Sequence, residues 1–106
     1  MLGETAIELE ARNPEMNRMR RWSVQLGRDL FGMWVVDVGF GRVGSRGRQL
    51  RHVFTDQTAA RAYVGKGLRR RATAPARIGV AYRCVHASIG AAELLAHVGI
   101  ETRACV

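Results

Sequence analysis

One aromatic ring and a cluster of guanidinium groups are the residues of this chain whose types and spacing suit a chemistry. Phe40 is followed by Arg42, Arg46, Arg48 and Arg51. A ring of this kind can stack on an unpaired or terminal base for about 1 to 3 kcal/mol, and neighbouring arginines can neutralise phosphates. The charge distribution points to the same stretch. Between Arg42 and Arg71 stand nine bases and a single acid, Asp56, so this window carries the whole formal charge of +8 and the other residues sum to zero. Such a concentrated excess is the electrostatic footprint of a face that binds polyanions. Sixteen of the 17 bases are arginine. Their planar forks fit phosphate oxygens and base edges where an ammonium acts as a point charge, although a GC-rich genome leaves the same imprint. The expected contact residues are therefore Phe40, Arg42, Arg46, Arg48 and Arg51 with Lys66, Arg69 and Arg70. Blander roles stand beside these: Phe40 as a core residue closing a sheet edge, Arg42 as a structural hydrogen-bond hub, and the run Lys66 to Arg71 as a solvated helix end.

Other chemistries find little support. The three histidines, His52, His86 and His97, are scattered. There is no Ser/His/Asp or Cys/His signature, no paired carboxylates and no Walker loop, so no catalytic role is expected. Residues 39 to 44 do read Gly39-Phe40-Gly41-Arg42-Val43-Gly44, a literal G-x-G-x-x-G. A dinucleotide site needs its third glycine to open a helix, with an acid about 20 residues on. Here Gly47 and a second strand follow at once, so no cofactor is expected. Cys84 and Cys105 match no zinc spacing with His86 and His97, which leaves no metal and an expectation of reduced thiols.

The elements that must position these residues follow from periodicity. Ala6 to Arg12 and Trp22 to Leu26 alternate apolar with polar residues, the mark of half-buried strands. Met33 to Val38 is apolar and β-branched, a more central strand. Gly44-Ser45-Arg46-Gly47 has the glycines to reverse the chain into a fourth strand, Gln49 to Phe54. Thr55 or Asp56 can cap a helix in which Ala59, Ala60, Ala62, Tyr63 and Val64, with Leu68 farther on, sit at helical spacing, and Gly65 and Gly67 weaken its last turns. A loop through Thr73, Pro75 and Gly79 leads to a fifth strand, Val80 to Val85. Ser88 can then cap a short apolar helix from Ile89 to Val98. Trp22, Trp34 and Tyr82 are assigned to the core.

The stretch from Trp34 to Gln49, including Gly39-Phe40-Gly41-Arg42-Val43-Gly44-Ser45-Arg46-Gly47-Arg48-Gln49, resembles the signature of WGR domains, in which a strand ends in Trp-Gly-Arg-[Ile or Val]-Gly and turns through a glycine into glutamine. The flanks agree: Asn17 to Leu26 is similar to the family's Asn-to-aromatic strand, Asp29-Leu30-Phe31-Gly32-Met33-Trp34 to a turn of bacterial members, and Phe54-Thr55-Asp56-Gln57-Thr58-Ala59-Ala60 to its helix start. The likeness spans Ala6 to Arg83. It departs from the pattern in two places: the name-giving tryptophan is Phe40, and the usual Gly-Tyr is spread out as Gly79-Val80-Ala81-Tyr82. The resemblance implies an α+β domain that binds DNA at strand ends or breaks, as in poly(ADP-ribose) polymerases, with Phe40 packing on an exposed sugar or base at the terminus and Arg42 contacting either the nucleic-acid backbone or a neighbouring domain.

The expectation is thus an α+β fold, a small antiparallel sheet of four to five strands with one main α-helix packed on it and a short C-terminal helix. Residues 1–85 form the WGR-like domain and 86–106 a helical extension packed on it. The function expected is sequence-independent DNA binding without catalysis; the alternative is a protein-interaction adaptor whose basic hairpin docks an acidic partner. A homodimer through Ile89 to Val98 is a further option. No membrane span is expected, and the expected location is cytoplasmic, with association to the nucleoid as an option.

Overall fold

In the computed structural model the described residues are 2–88 with Ala91, Leu95 and Ile100. Strand β1 (Leu2–Asn13) turns through a single 3-10 turn at Pro14–Met16 into β2 (Arg18–Arg28). The Asn13 side chain accepts from the Met16 N–H, and Asn17 takes the left-handed conformation at φ 53° that closes the turn. Strands β3 (Trp34–Arg42) and β4 (Arg48–Phe54) form the next hairpin. Helix α1 (Gln57–Ala72) and a short helix α2 (Ala74–Ile78) then lead to β5 (Arg83–Ala87). All neighbouring strands pair antiparallel, in the order β4-β3-β2-β1-β5. This is the α+β architecture that the periodicities imply.

Register decides what each face of the sheet carries. Leu9 pairs with Trp22 and Trp22 with Phe40; Val24 pairs with Val38 and Val38 with Leu50. Side chains alternate across a strand, so these residues share one face. Helix α1 covers that face with Ala60, Val64 and Leu68, spaced four apart along its buried stripe. Ile7, Leu26, Val36 and Cys84 complete the core, together with Ala91, Leu95 and Ile100. Trp22 is buried, while Trp34 and Tyr82 are half-buried against the cluster.

Several local expectations shift. Asp56, rather than Thr55, caps α1, its carboxylate accepting from the Ala59 N–H at 2.8 Å. Gly65 and Gly67 do not end the helix early. A Cβ on Gly67 would lie 2.8 Å from the Trp22 ring, so that glycine lets the helix sit directly on the sheet. The expected loop at Thr73–Gly79 contains α2, with Pro75 in its first turn and Gly79 at φ 76° ending it. β5 therefore begins later than Val80, where pairing of Cys84 with Leu9 sets its register, and it continues to Ala87. Cys84 is disulfide-bonded, which overturns the expectation of reduced thiols. Its partner lies outside the described residues. Ser88 hydrogen-bonds the backbone of Ala6 through its hydroxyl. Most of the expected helix from Ile89 to Val98 also lies outside the described residues, but Ala91 and Leu95 are buried in the chain's own core. Among the described residues no helix is long and apolar enough to cross a membrane.

Candidate nucleic-acid interface

The glycines of residues 39–47 shape a tight hairpin. Gly47 sits at φ 64°, and a Cβ there would fall 2.2 Å from the Phe40 carbonyl oxygen; one on Gly41 would fall 2.8 Å from the Gly47 Cα. The strand and its turn touch at backbone distance, which only glycine permits. No helix opens at Gly44, since α1 begins at Gln57, so the run presents no helix N-terminus to a pyrophosphate. Arg21 reaches across from β2 and donates to the carbonyls of Ser45 (2.6 Å) and Arg46, fastening the turn from the sheet's outer face.

Phe40 lies on the helix-covered face. Its ring packs partly on the core and partly walls a cavity of about 470 Å³ between the sheet and α1. Trp22, Val38, Leu50 and Tyr63 supply apolar walls, and Lys66, Arg70 and Arg71 converge on it from the helix. The Arg71 guanidinium lies over the Trp22 ring, 4.9 Å from its centroid, a cation–π contact. Burial, its main cause, lowers the pKa of Arg71 from the ordinary arginine value, with the neighbouring charges of Arg70 and Arg77 acting the same way. On the other flank of Phe40 a smaller hollow of about 280 Å³ is lined by Arg18, Arg20 and Arg42. Arg42 pairs with Arg20 and Arg48 with Phe40, so these arginines share the ring's face. Arg42 also donates to the Asn17 side chain at 2.8 Å, which ties it to the β1–β2 turn.

Of the residues expected from the sequence, Phe40, Arg42, Arg48, Lys66 and Arg70 thus come together on one face. Three do not join them there. Arg51 is on the outer face, where it makes a two-pronged pair with Asp37 at 2.7 and 3.1 Å; this hydrogen bond, more than the charge, raises its pKa. Arg46 stands exposed in the turn, and Arg69 is exposed alongside Gly65 on the helix. The structure adds Arg18, Arg20 and Arg71. Arg20 was readable as the residue two before Trp22 on the same strand face, and Arg71 as the residue three after Leu68 on the buried stripe. Arg18 carried the same signal one step further out, as the residue two before Arg20 on that strand.

The family model for the WGR domain matches residues 5–74. The chain belongs to the WGR domain family. The match covers β1 to α1 and thus the whole basic face, while β5 lies beyond it. No curated protein and no solved structure matches the chain significantly. WGR domains form a non-catalytic family, and in poly(ADP-ribose) polymerases they are of a nucleic-acid-binding type. In this WGR domain the ring at the name-giving position is Phe40, a phenyl without the indole N–H donor.

Proposed function

We propose that this WGR domain binds DNA without regard to sequence, prefers ends or nicks, and performs no chemistry of its own. The observation that carries the reading is the meeting of one accessible ring with cations from three strands and a helix: Phe40 with Arg20, Arg42, Arg48, Lys66, Arg70 and Arg71. A base freed at a terminus or break can slide against Phe40 and Leu50 into the apolar cavity, and the phosphates beside it run along the arginines. A base inside a continuous duplex is stacked and cannot enter, so preference for ends follows from geometry. Arg42 and Arg48 act on phosphate, Phe40 on the exposed base or sugar, and Arg71, held against Trp22, presents a fixed charge at the cavity mouth.

The test is a titration of labelled duplex with free, nicked or hairpin-closed ends, repeated across salt. With four to six phosphates engaged, log K falls against log salt with a slope of about −4 to −5. Tighter binding to open ends than to closed ones is the expected result. No DNA binding, with retention of an acidic polypeptide instead, would turn the basic face into a protein-docking surface.

A further inference from the structure

The turn between β2 and β3 holds two large apolar side chains almost wholly in solvent: Leu30 is 93 % and Phe31 90 % exposed. Exposed apolar side chains that lie together mark contact sites, unlike ones scattered singly. The turn is also rigid. The Asp29 carboxylate accepts from the N–H groups of Phe31 and Met33, both at 2.9 Å, and the Asp29 N–H donates to the Met33 carbonyl at 3.0 Å. Gly32 takes φ 80° to close it, and Arg28 lies over the Trp34 ring at its base, 5.2 Å from the centroid. The backbone that carries the two side chains is therefore pre-ordered, which reduces the entropy lost on docking. Beside them stands the negative charge of Asp29.

The cavity at the far end of the same sheet is the complement of this tip. It has apolar walls of Trp22, Val38, Phe40 and Leu50, room for a phenyl ring and an isobutyl group, and a mouth lined by Lys66, Arg70 and Arg71. Apolar meets apolar, and the carboxylate of Asp29 would face the three cations. The two features cannot meet within one chain. Six residue steps along β3 carry Trp34, beside the tip, to Phe40, which is about 20 Å along an extended strand. We infer that the Leu30–Phe31 tip of one copy inserts into the Phe40 cavity of a second copy, so that the chain associates head to tail. Such a contact is heterologous and propagates into chains of copies unless it closes into a ring. It buries few residues and works against the like net charge of the copies, so it is weak. If the cavity also takes a DNA terminus, which rests on the function proposed above, nucleic acid and self-association exclude each other.

Sedimentation velocity of the full chain from about 10 µM to about 1 mM reads the association directly. Growth of the sedimentation coefficient with concentration is expected, and its loss, by at least roughly tenfold in association constant, in Phe31→Ser. Leu50→Asp blocks the cavity lip in the same way. Both positions are exposed, Leu50 by 41 %, so both variants fold. The decisive sample mixes the two: Phe31→Ser retains a cavity and Leu50→Asp retains a tip, so each alone stays monomeric and the mixture stops at a one-to-one dimer. A monomer at every concentration, or a mixture that remains monomeric, overturns the inference and leaves the DNA reading intact. Association that an added single-stranded oligonucleotide fails to dissolve would keep the head-to-tail contact and remove the cavity from the DNA site.

Discussion

A methyl group at Gly47 has nowhere to go. The position combines φ 64° with a Cβ that would lie 2.2 Å from the Phe40 carbonyl, whereas Gly44 has φ 85° and open space. Gly44→Ala should therefore cost only the left-handed conformation, about 1 kcal/mol, and Gly47→Ala at least twice that, read from urea midpoints. Removal of the ring is a different experiment. Phe40→Ala should abolish discrimination between open and closed ends while leaving the salt slope unchanged, because stacking carries no counterion release. The arginines divide by face. Arg48→Ala should make the slope shallower by about one, and Arg51→Ala should leave it as it was, since Arg51 is paired with Asp37 on the opposite side of the sheet. Equal effects from the two would mean that both faces of the sheet meet DNA.

Helix α1 is held by contact more than by propensity. Its sequence includes Gly65 and Gly67, each about 1 kcal/mol poorer than alanine in a helix interior. On propensity alone Gly67→Ala should stabilise. The Trp22 ring stands 2.8 Å from the new Cβ, however, and its plane is fixed by the core on one side and Arg71 on the other. The substitution should instead lower stability and push the helix outward, altering the near-ultraviolet circular dichroism of the tryptophans; a rise in stability with an unchanged tryptophan spectrum would show that the ring yields. Because α1 supplies Lys66, Arg70 and Arg71, that displacement should also weaken DNA binding. Stability and site thus share one glycine.

At the scale of the whole molecule the two ends of the sheet differ in character. One end gathers Arg18, Arg20, Arg42, Arg48, Lys66, Arg70 and Arg71 around a single ring. The other carries the Leu30–Phe31 tip with Asp29, and Asp56 caps α1 near where Phe54 pairs with Trp34. The antiparallel path explains this separation: α1 starts after β4 at the end that carries the tip and runs back, so its basic last turn returns to the hairpin where β3 ends. The charge excess within residues 42–71 is contiguous in sequence, and folding concentrates most of it a second time by bringing the helix end over the hairpin end.

Alternation and turn chemistry were enough to read the strands up to Phe54, the capped helix, the α+β class and the WGR likeness, because these depend on local spacing that any pleated or helical backbone would sort in the same way. The ring at Phe40 and the basic window were legible for the same reason. Which arginines serve the ring was not. Arg48 and Arg51 are three apart on one strand and go to opposite faces, a matter of parity, but Lys66, Arg70 and Arg71 join Phe40 only because α1 lies across β2 and β3 at the height that Gly67 and Trp22 allow. The later start of β5 and the bonded state of Cys84 likewise depend on pairing partners distant in the chain. Local spacing determined what the segments up to the end of α1 are; contacts between segments remote in sequence, made when the apolar face was buried, decided which charges meet.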